Sequence, residues 1–430
     1  MPTHDSSRTR SDRRDFLKQT TVFGGAALIA SQSGIPAVHA DGDDTLKVGL
    51  IGCGGRGSGA AVNATRKENR AVLTAMADLF PDRLEAAKTR LKKRLEDRFQ
   101  VDDDHCFCGF DGYQKVMESD VDVVLLCTPP HFRPQQLAAA VKAGKHIFCE
   151  KPIAVDPVGV RSVLETCEEA EAKHLNIVSG LCWRYHKGVQ QTMAQIQDGA
   201  IGNIVAIHEN YLTGTLWHRG QKEEWSPMET QCRNWLYYTW LSGDHIVEQF
   251  IHSLDKSLWL KGDEPPAVAF GLGGRQVRTD PKFGNIYDHF GVCYEWADGT
   301  KCFAYTRQMK GTFNQVEDFV LGTRGTAQVL RHQIEGHTNW RYRGKGDPSM
   351  YDAEHVALFE AIRSGKPINN GKYMSYSTMM AILGREVCYT GQKIEWATAI
   401  NSDQKLGPEK YEWGPGVEST VATPGVTLFG

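Results

Sequence analysis

A glycine-rich turn near the start of the chain constrains its fold more than any other feature. An apolar run over residues 48–51 leads into Gly52-Cys53-Gly54-Gly55-Arg56-Gly57, and alanine-rich, helix-compatible sequence follows. A G-x-G-x-x-G turn between a buried strand and a helix is typical of a dinucleotide-binding βαβ unit. Gly52 permits the tight turn, Gly54 lets the backbone approach a pyrophosphate, and Gly57 lets the helix pack close to its strand. The sequence therefore predicts a nucleotide site at the N-terminus of this helix.

An acidic residue supports this prediction. A second apolar run, residues 72–77, ends in Asp78, about 20 residues after the last glycine, where a carboxylate can accept hydrogen bonds from a ribose diol. Asp78 would repel a 2′-phosphate, so the sequence favours NAD over NADP, while Arg56 and Arg83 leave NADP open. The alternative, a glycine turn that holds no nucleotide, fits this context less well.

The first 40 residues differ from the rest of the chain. Asp12-Arg13-Arg14-Asp15-Phe16-Leu17-Lys18 precedes a modest apolar run, and Val38-His39-Ala40 follows with the small residues that a signal peptidase reads. The apolar run has about half of the roughly 20 residues needed to span a bilayer, which indicates a signal peptide rather than a membrane anchor. The arginine pair resembles a twin-arginine (Tat) signal, so we expect the Tat machinery to export the folded protein to a bacterial periplasm. An ordinary secretory signal is the alternative.

The composition argues against several other classes of protein. The formal net charge is −3 and no long basic run is present, which argues against a nucleic-acid surface. His105-Cys106-x-Cys108 lacks the usual spacing of a zinc site, and no second pair follows. Four of the 11 cysteines lie in or beside apparent buried strands, where a thiol packs as a small hydrophobe: Cys53, Cys127, Cys149 and Cys293. We therefore expect neither a disulfide framework nor a metal.

The pattern of apolar residues predicts two domains after the signal peptide. Over residues 41–175, apolar strands alternate with helices, which is typical of a parallel sheet covered on both faces. Over residues 176–430, short segments of alternating polarity predict a mostly antiparallel sheet, and two late helices are expected to pack back on the first domain. The predicted fold class is α/β, with a Rossmann dinucleotide-binding domain followed by a substrate and oligomerisation domain built on a large open sheet.

Three loops of the first domain are expected to meet at the cofactor, because ligands bind beyond the carboxyl ends of parallel strands. They are the glycine turn, the turn Thr128-Pro129-Pro130-His131, and Glu150-Lys151-Pro152. A partly desolvated Lys151 would have a pKa lowered toward neutrality and could exchange a proton with a substrate hydroxyl. The alternative is a surface lysine in a loop.

A second group of ionisable residues follows an aromatic-rich segment. Asp244, Glu248, His252 and Asp255 are spaced to share one face of a helix over residues 243–259. The same helix presents apolar residues elsewhere, such as Ile246, Phe250 and Leu254, so we expect the charged stripe to face a cleft, with a solvated helix face as the alternative. A neutral imidazole at His252, oriented by Glu248, would suit a general base that takes a hydroxyl proton while a hydride leaves for the nicotinamide.

Together these motifs resemble the glucose-fructose oxidoreductase, inositol dehydrogenase and rhizopine catabolism (Gfo/Idh/MocA) family. The resemblance covers almost all of the chain after residue 40. It implies an N-terminal Rossmann domain, a C-terminal α/β domain whose open sheet often mediates homo-oligomers, here a dimer or tetramer, and dehydrogenation of a sugar or cyclitol with NAD(P).

The resemblance also implies residue roles. Lys151 matches the EKP lysine of the family and His252 its catalytic histidine, while Glu248 stands where many members have the shorter Asp. We predict these three as catalytic residues, and Arg184 and Asp255 as substrate-binding residues. The predicted cofactor-binding residues are Gly52, Gly54, Arg56, Gly57, Asp78, Thr128, Pro129, His131, Glu150 and Lys151.

Export restricts the reaction, because little free nicotinamide exists outside the cytoplasm. We expect the cofactor to be loaded before export and regenerated in place. The predicted function is therefore an NAD(P)-dependent oxidoreductase that moves a hydride between a carbohydrate or cyclitol carbon and a tightly bound nicotinamide. The alternatives are a glycoside hydrolase or lyase that uses transient oxidation, and a non-catalytic nucleotide-binding scaffold. Substrate specificity is expected to reside in the loop over residues 211–240.

Overall fold

Two β-sheets organise the chain. The computed structural model describes residues 45–430, so the predicted signal peptide over residues 1–40 lies outside the described part. A six-stranded sheet is formed by residues 46–179 and a nine-stranded sheet by strands between residues 204 and 395. This pair of sheets confirms the predicted α/β fold class.

The first sheet is parallel throughout, with the strand order β3-β2-β1-β4-β5-β6. Its strands are β1 (Leu46–Ile51), β2 (Ala71–Asp78), β3 (Cys106–Cys108), β4 (Val123–Leu126), β5 (His146–Cys149) and β6 (Ile177–Ser179). Its helices are α1 (Gly55–Ala64), α2 (Pro81–Leu95), α3 (Gly112–Glu118), α4 (Arg133–Lys142) and α5 (Pro157–Ala172). The central strands are buried along nearly their whole length because helices cover both faces. The sixth strand extends this sheet past residue 175, where the sequence placed the domain boundary.

The second sheet has the order β14-β13-β12-β11-β7-β10-β9-β8-β15 and is antiparallel except between β7 and β10. Its strands are β7 (Ile204–Thr213), β8 (Val268–Gly274), β9 (His289–Glu295), β10 (Lys301–Gln308), β11 (Gln315–Gly322), β12 (Gly325–Gln328), β13 (Gln333–Gly336), β14 (Trp340–Arg341) and β15 (Ile394–Glu395). Burial alternates along β10, so one face packs on helices while the other carries exposed apolar side chains such as Phe303 and Tyr305.

The remaining helices connect and cover the two sheets. They are α6 (Lys187–Gln197), α7 (Pro227–Arg233), α8 (Thr239–Ser242), α9 (His245–Glu248), α10 (Ile251–Leu260), α11 (Met350–Ser364), α12 (Gly371–Thr390) and α13 (Trp396–Ile400). The helix α12 is buried along most of its length because it packs between α5 and strand β8. The helix α11 contacts α1, so late chain segments return to the first sheet.

The predicted continuous helix over residues 243–259 is wrong. Gly243 and Asp244 both have positive φ angles, 76° and 73°, so the helix cannot extend through them, and a second break separates α9 from α10. The Asp244 carboxylate is buried and accepts hydrogen bonds from the amide of Tyr287 at 2.7 Å and the hydroxyl of Tyr389 at 2.5 Å. Asp244 therefore belongs to the core and does not share a face with the other three residues.

Residues 45–430 share three further features. No helix in this range is long and apolar enough to cross a membrane. No group of three His, Cys, Asp or Glu side chains in the range is arranged to hold a metal ion. The 11 cysteines all fall within it and are free thiols.

A buried charged cluster lies between the second sheet and α10. The ammonium of Lys256 is 3.0 Å from a carboxylate oxygen of Asp318 and donates to the carbonyl of His252 at 2.6 Å. Glu209 is buried beside them and accepts a hydrogen bond from the hydroxyl of Ser257. Burial, followed by repulsion from Asp318, raises the pKa of Glu209 from 4.5 to about 8. The carboxyl proton of Glu209 is therefore bound more tightly in the folded state than in the unfolded chain. As the pH rises from about 4.5 to about 8, loss of this proton lowers the free energy of unfolding.

We expect Glu209→Gln to remove the loss of stability that accompanies the rise in pH from about 4.5 to about 8. The amide is neutral and keeps the shape of the side chain, so the variant should gain about 1–3 kcal/mol relative to the parent between pH 5 and pH 9. Urea unfolding at several pH values measures this change, with Glu335→Gln on the exposed strand β13 as the control. Parallel pH profiles for parent and Glu209→Gln would contradict the expectation.

Candidate active site at the carboxyl edge of the first sheet

The carboxyl ends of the parallel strands open into a cavity of about 490 Å³. Residues that follow β1, β2, β4 and β5 line one side of it, and residues from α9, α10 and the 211–240 loop line the other. Proteins with a doubly wound sheet bind their ligands at this position, beyond the carboxyl ends of the strands.

The glycine turn has the shape of a dinucleotide cradle. Gly52 has φ +94°, and a Cβ atom there would lie 2.6 Å from the backbone carbon of Cys127. A Cβ atom on Gly57 would lie 1.8 Å from the carbonyl oxygen of Gly52. Gly54 instead faces open space, since no described atom lies within 4 Å of its added Cβ. No side chain of the described part caps α1, so the amides of its first turn are available to a pyrophosphate.

Asp78 ties the end of β2 to this turn. One carboxylate oxygen accepts from the amide of Cys53 at 2.7 Å and the other accepts from the amide of Phe80 at 3.0 Å. Burial raises its pKa above the ordinary value, against the effect of these two amides. Asp78 lines the cavity, in the position that the sequence predicted for a ribose ligand.

Arg56 lines the cavity and forms ion pairs with two buried glutamates. Its Nε donates to Glu150 and its Nη2 donates to Glu354 at 2.9 Å, while its guanidinium lies 4.7 Å from the ring centroid of Tyr351. Burial, followed by the charge of Glu150, raises the pKa of Glu354 well above its ordinary value. Two predicted cofactor ligands, Arg56 and Glu150, are therefore already paired with each other.

The turn after β4 contributes only part of what the sequence predicted. Thr128 and Pro129 line the cavity, and the hydroxyl of Thr128 donates to Gln136 at 2.6 Å. His131 does not line it, because its ring lies 4.9 Å from the ring of Trp240 and its Nε2 is 2.7 Å from the hydroxyl of Tyr411. Burial lowers the pKa of His131 to about 4.

The three predicted catalytic residues meet in the cavity. Lys151 follows β5 and donates to the carbonyl of Glu248 at 2.5 Å and to its carboxylate at 3.1 Å. Glu248 ends α9 and His252 lies in the first turn of α10. Since the side chains of Lys151, Glu248 and His252 all line the cavity that contains the glycine turn, one bound molecule can touch both groups.

His252 is held as a neutral base. Burial lowers its pKa well below the ordinary value, and the positive charges of Lys151, Lys256 and Arg56 lower it further. Its Nδ1 is buried and finds no hydrogen-bond partner among residues 45–430. The imidazole is therefore uncharged at neutral pH and able to accept a proton.

Arg184 and Asp255 lie outside the cavity. Arg184 donates to both carboxylate oxygens of Asp255 at 2.9–3.1 Å and also pairs with Asp263 at 2.6 Å. Asp255 is 1% exposed and also accepts from the hydroxyl of Ser377 at 2.8 Å. The hydrogen-bonding groups of the two predicted substrate ligands are therefore occupied by each other and by neighbouring side chains. The pair joins the segment after β6 to α10.

Several cavity residues were not predicted as ligands. Arg133 is buried and donates to the carbonyl of Thr128 at 2.5 Å and to that of Pro152, so it joins two of the cofactor loops. Trp217, Arg219 and Trp235 reach the cavity from the 211–240 loop. The aromatic content of this loop was the only sequence signal for these three residues, and Arg133 has no motif.

Comparison with known proteins places the first domain. Residues 46–177 match the model of an oxidoreductase family with an NAD-binding Rossmann fold, GFO_IDH_MocA. The domain is therefore an NAD-binding Rossmann domain, and the predicted cofactor, NAD, is confirmed. Over these residues the chain is similar to the NAD-binding domain of that family, as the motifs indicated.

Relatives extend this similarity. The chain is 29% identical over 219 residues to 2,7-anhydro-N-acetylneuraminate hydratase of Escherichia coli K12, a match that spans 50% of this chain and 53% of the hydratase. It is 25% identical over 350 residues to inositol 2-dehydrogenase of Burkholderia ambifaria, covering 78% of this chain and 92% of that enzyme. The fold is similar to that of aldose-aldose oxidoreductase from Caulobacter crescentus complexed with glycerol, with a TM-score of 0.65, 16% identity, and coverage of 82% and 99%.

We expect Gly57→Ala to abolish NAD binding and Gly59→Ala to preserve it. The added methyl of Gly57→Ala clashes with backbone, at a cost of at least about 1–3 kcal/mol. Gly59 lies in the same helix with only ordinary contact, 3.5 Å to Arg56, so Gly59→Ala should stabilise the helix by about 0.5–1 kcal/mol. Calorimetric titration with NAD and thermal unfolding measure both effects. Wild-type NAD affinity in Gly57→Ala would contradict the assigned role of this turn.

Proposed function

We propose that this protein is an NAD-dependent oxidoreductase that moves a hydride between a hydroxyl-bearing carbon of a carbohydrate or cyclitol and a tightly bound nicotinamide. The observation that carries the proposal is the convergence of Lys151, Glu248 and the neutral His252 on the cavity that contains the glycine turn. Proton-transfer groups beside a dinucleotide cradle are what oxidation of an alcohol requires.

The side chains divide the work at the substrate hydroxyl. Bound NAD supplies the hydride acceptor. The Lys151 ammonium, oriented by Glu248, donates a hydrogen bond to the substrate oxygen and holds the hydroxyl toward the imidazole. His252 accepts the hydroxyl proton, because burial and the cations near it keep its ring neutral beforehand. In the reverse direction, the same imidazole returns the proton.

The names of related proteins support this class of substrate. One relative is an inositol 2-dehydrogenase, and the fold is shared with an aldose-aldose oxidoreductase. The second name is that of an oxidoreductase acting between two aldoses. Oxidation of one sugar coupled to reduction of another would regenerate a bound cofactor without its release. This coupling is the reaction that we favour for a protein with a retained cofactor.

A redox-neutral reaction is the second candidate, and the hydratase relative favours it. Transient oxidation of a hydroxyl carbon acidifies the neighbouring C–H, which allows elimination or hydration before the carbonyl is reduced again. A glycoside hydrolase or lyase of this type would use Lys151 and His252 in the same roles. A non-catalytic scaffold is disfavoured, because a binding protein has no use for a lysine and a neutral histidine held together at the cofactor.

We also propose that the protein is exported to the periplasm by the Tat machinery. The support is the Arg13-Arg14 pair, the short apolar run after it and the Ala40 cleavage site. Tat export acts on folded proteins, so the dinucleotide can be bound before export.

The proposed homo-oligomer rests on the exposed apolar face of the second sheet, where Leu272 is 72% and Phe303 is 38% exposed.

We expect Lys151→Met and His252→Asn each to lower turnover by about 10²- to 10⁴-fold while NAD stays bound. The measurement is fluorescence of the bound dinucleotide when single sugars, cyclitols and glycosides are added to the purified protein. Exposed Lys142→Met and His174→Asn serve as controls and should retain turnover. Full turnover in either cavity variant would exclude the assigned role.

The same assay separates the two candidate reactions. Accumulation of reduced dinucleotide with one sugar, reversed by a second sugar, identifies an oxidoreductase. Release of an aglycone or a change in hydration, without lasting reduction, identifies the redox-neutral reaction.

A further inference from the structure

Residues from the second half of the chain form one wall of the cavity that Asp78 lines. They are Trp217, Arg219 and Trp235 from the 211–240 loop, while Phe80 and Phe110 line the cavity from the first sheet. Trp217 and Trp235 pack in one hydrophobic cluster with Phe80 and Phe110, and Phe80 lies two residues after Asp78. The sequence predicts that the 211–240 loop determines substrate specificity. In the structure, the loop residues that line the cavity share it with the residues that follow β2 and β3.

The position of Asp78 identifies which half of the dinucleotide reaches this wall. The acidic residue at the end of the second strand marks the ribose of the adenosine half, so the adenine ring extends past it. Arg219 lies 4.5 Å from the ring centroid of Trp217, and the Trp217 and Trp235 rings are 5.9 Å apart. Aromatic and guanidinium faces are the surfaces on which a purine ring stacks.

We propose that Trp217, Arg219 and Trp235 form the outer wall of the adenosine subsite, so that the second half of the chain closes over bound NAD. This inference deepens the proposed function and rests on it, because in-place regeneration requires a cofactor that leaves slowly. The wall must then be held in place, and three sets of contacts do so.

An ion pair joins the wall to the first sheet. Arg233, at the end of α7, donates to the two carboxylate oxygens of Asp82 in the first turn of α2, at 3.0 and 3.1 Å. Its guanidinium also lies 4.1 Å from the ring centroid of Phe80 and pairs with Glu229 at 2.7 Å. Opening the wall would break this pair and expose the Phe80 ring.

The C-terminal segment packs against Phe80 and Phe110. The Trp413 ring lies 4.9 Å from that of Phe110 and 5.7 Å from that of Phe80. The Tyr411 ring stacks on Phe110 at 5.5 Å. The amide of Val417 donates to the side chain of Gln231 in α7 at 3.1 Å, so this segment bridges the first sheet and the wall.

The loop that carries Arg219 is itself fixed. The buried side chain of Asn234 accepts a hydrogen bond from the amide of Arg219 at 2.8 Å and donates to the carbonyl of Gly220 at 2.9 Å. Because Asn234 follows α7 directly, the position of Arg219 depends on that helix and on its ion pair with Asp82.

The test is the rate at which the NAD-loaded protein exchanges its cofactor with an excess of isotopically heavy NAD, followed by mass spectrometry. We expect Trp217→Ala and Arg219→Met to speed exchange by about tenfold or more, which matches about 1–3 kcal/mol of stacking per base. Trp217→Phe keeps an aromatic face and should exchange slowly. Asp82→Asn, which removes the ion pair, should speed exchange several-fold.

A matched variant separates retention from general loosening. The Lys261–Asp298 pair has side-chain exposures of 13% and 59%, close to the 14% and 63% of Arg233–Asp82, and its residues do not line the cavity. Asp298→Asn should therefore leave the exchange rate unchanged. Parental exchange rates in Trp217→Ala, Arg219→Met and Asp82→Asn would overturn the proposal.

Reduction of the bound NAD by sugars is followed in the same samples. Slow exchange that these variants accelerate, with no reduction by any sugar, would count against the proposed function and leave the wall intact. Normal reduction with parental exchange in every variant would count against the wall alone.

Discussion

The hydrogen bonds from Lys151 to Glu248 join the two parts of the candidate site. Lys151 extends from the carboxyl end of β5, beside the glycine turn, and Glu248 ends the short helix α9. Because both the carbonyl and the carboxylate of Glu248 accept from the same ammonium, this contact fixes where α9 ends and α10 begins. The position of His252 relative to the cofactor cradle depends on it.

Electrostatics give this geometry its chemical use. Burial is the main reason that the pKa of His252 is low and its imidazole neutral, and the positive charges of Lys151, Lys256 and Arg56 lower this pKa further. Lys151 pairs with Glu248, Lys256 pairs with Asp318, and Arg56 pairs with Glu150 and Glu354. A neutral base beside a paired ammonium can take a hydroxyl proton without first losing one of its own.

The sequence predicted those features that depend on short stretches of chain. The glycine turn, Asp78 and the EKP loop each follow a buried strand, so local pattern was enough to place them at the cavity. The predicted helix over residues 243–259 failed because two successive positive φ angles, at Gly243 and Asp244, are not visible in residue spacing.

Other parts of the site depend on residues that are distant in the sequence. The local sequence pattern could not predict these contacts. Arg184 and Asp255 were expected at the substrate, but they saturate each other in a buried pair. His131 was expected at the cofactor, yet Tyr411, 280 residues later, holds its ring away from the cavity. The 211–240 loop was correctly noted as aromatic, and only the folded chain shows that Trp217 and Arg219 share the cavity with Asp78.

The proposed function requires substrate and bound NAD to exchange a hydride in the cavity that contains Lys151 and His252. The most direct measurement is mass spectrometry of the bound dinucleotide after incubation with sugars, cyclitols and glycosides that carry deuterium on carbon. We expect at least one of these compounds to transfer deuterium to the dinucleotide in the parent protein and not in His252→Asn. Turnover of a deuterated compound with no deuterium reaching the bound dinucleotide would contradict it.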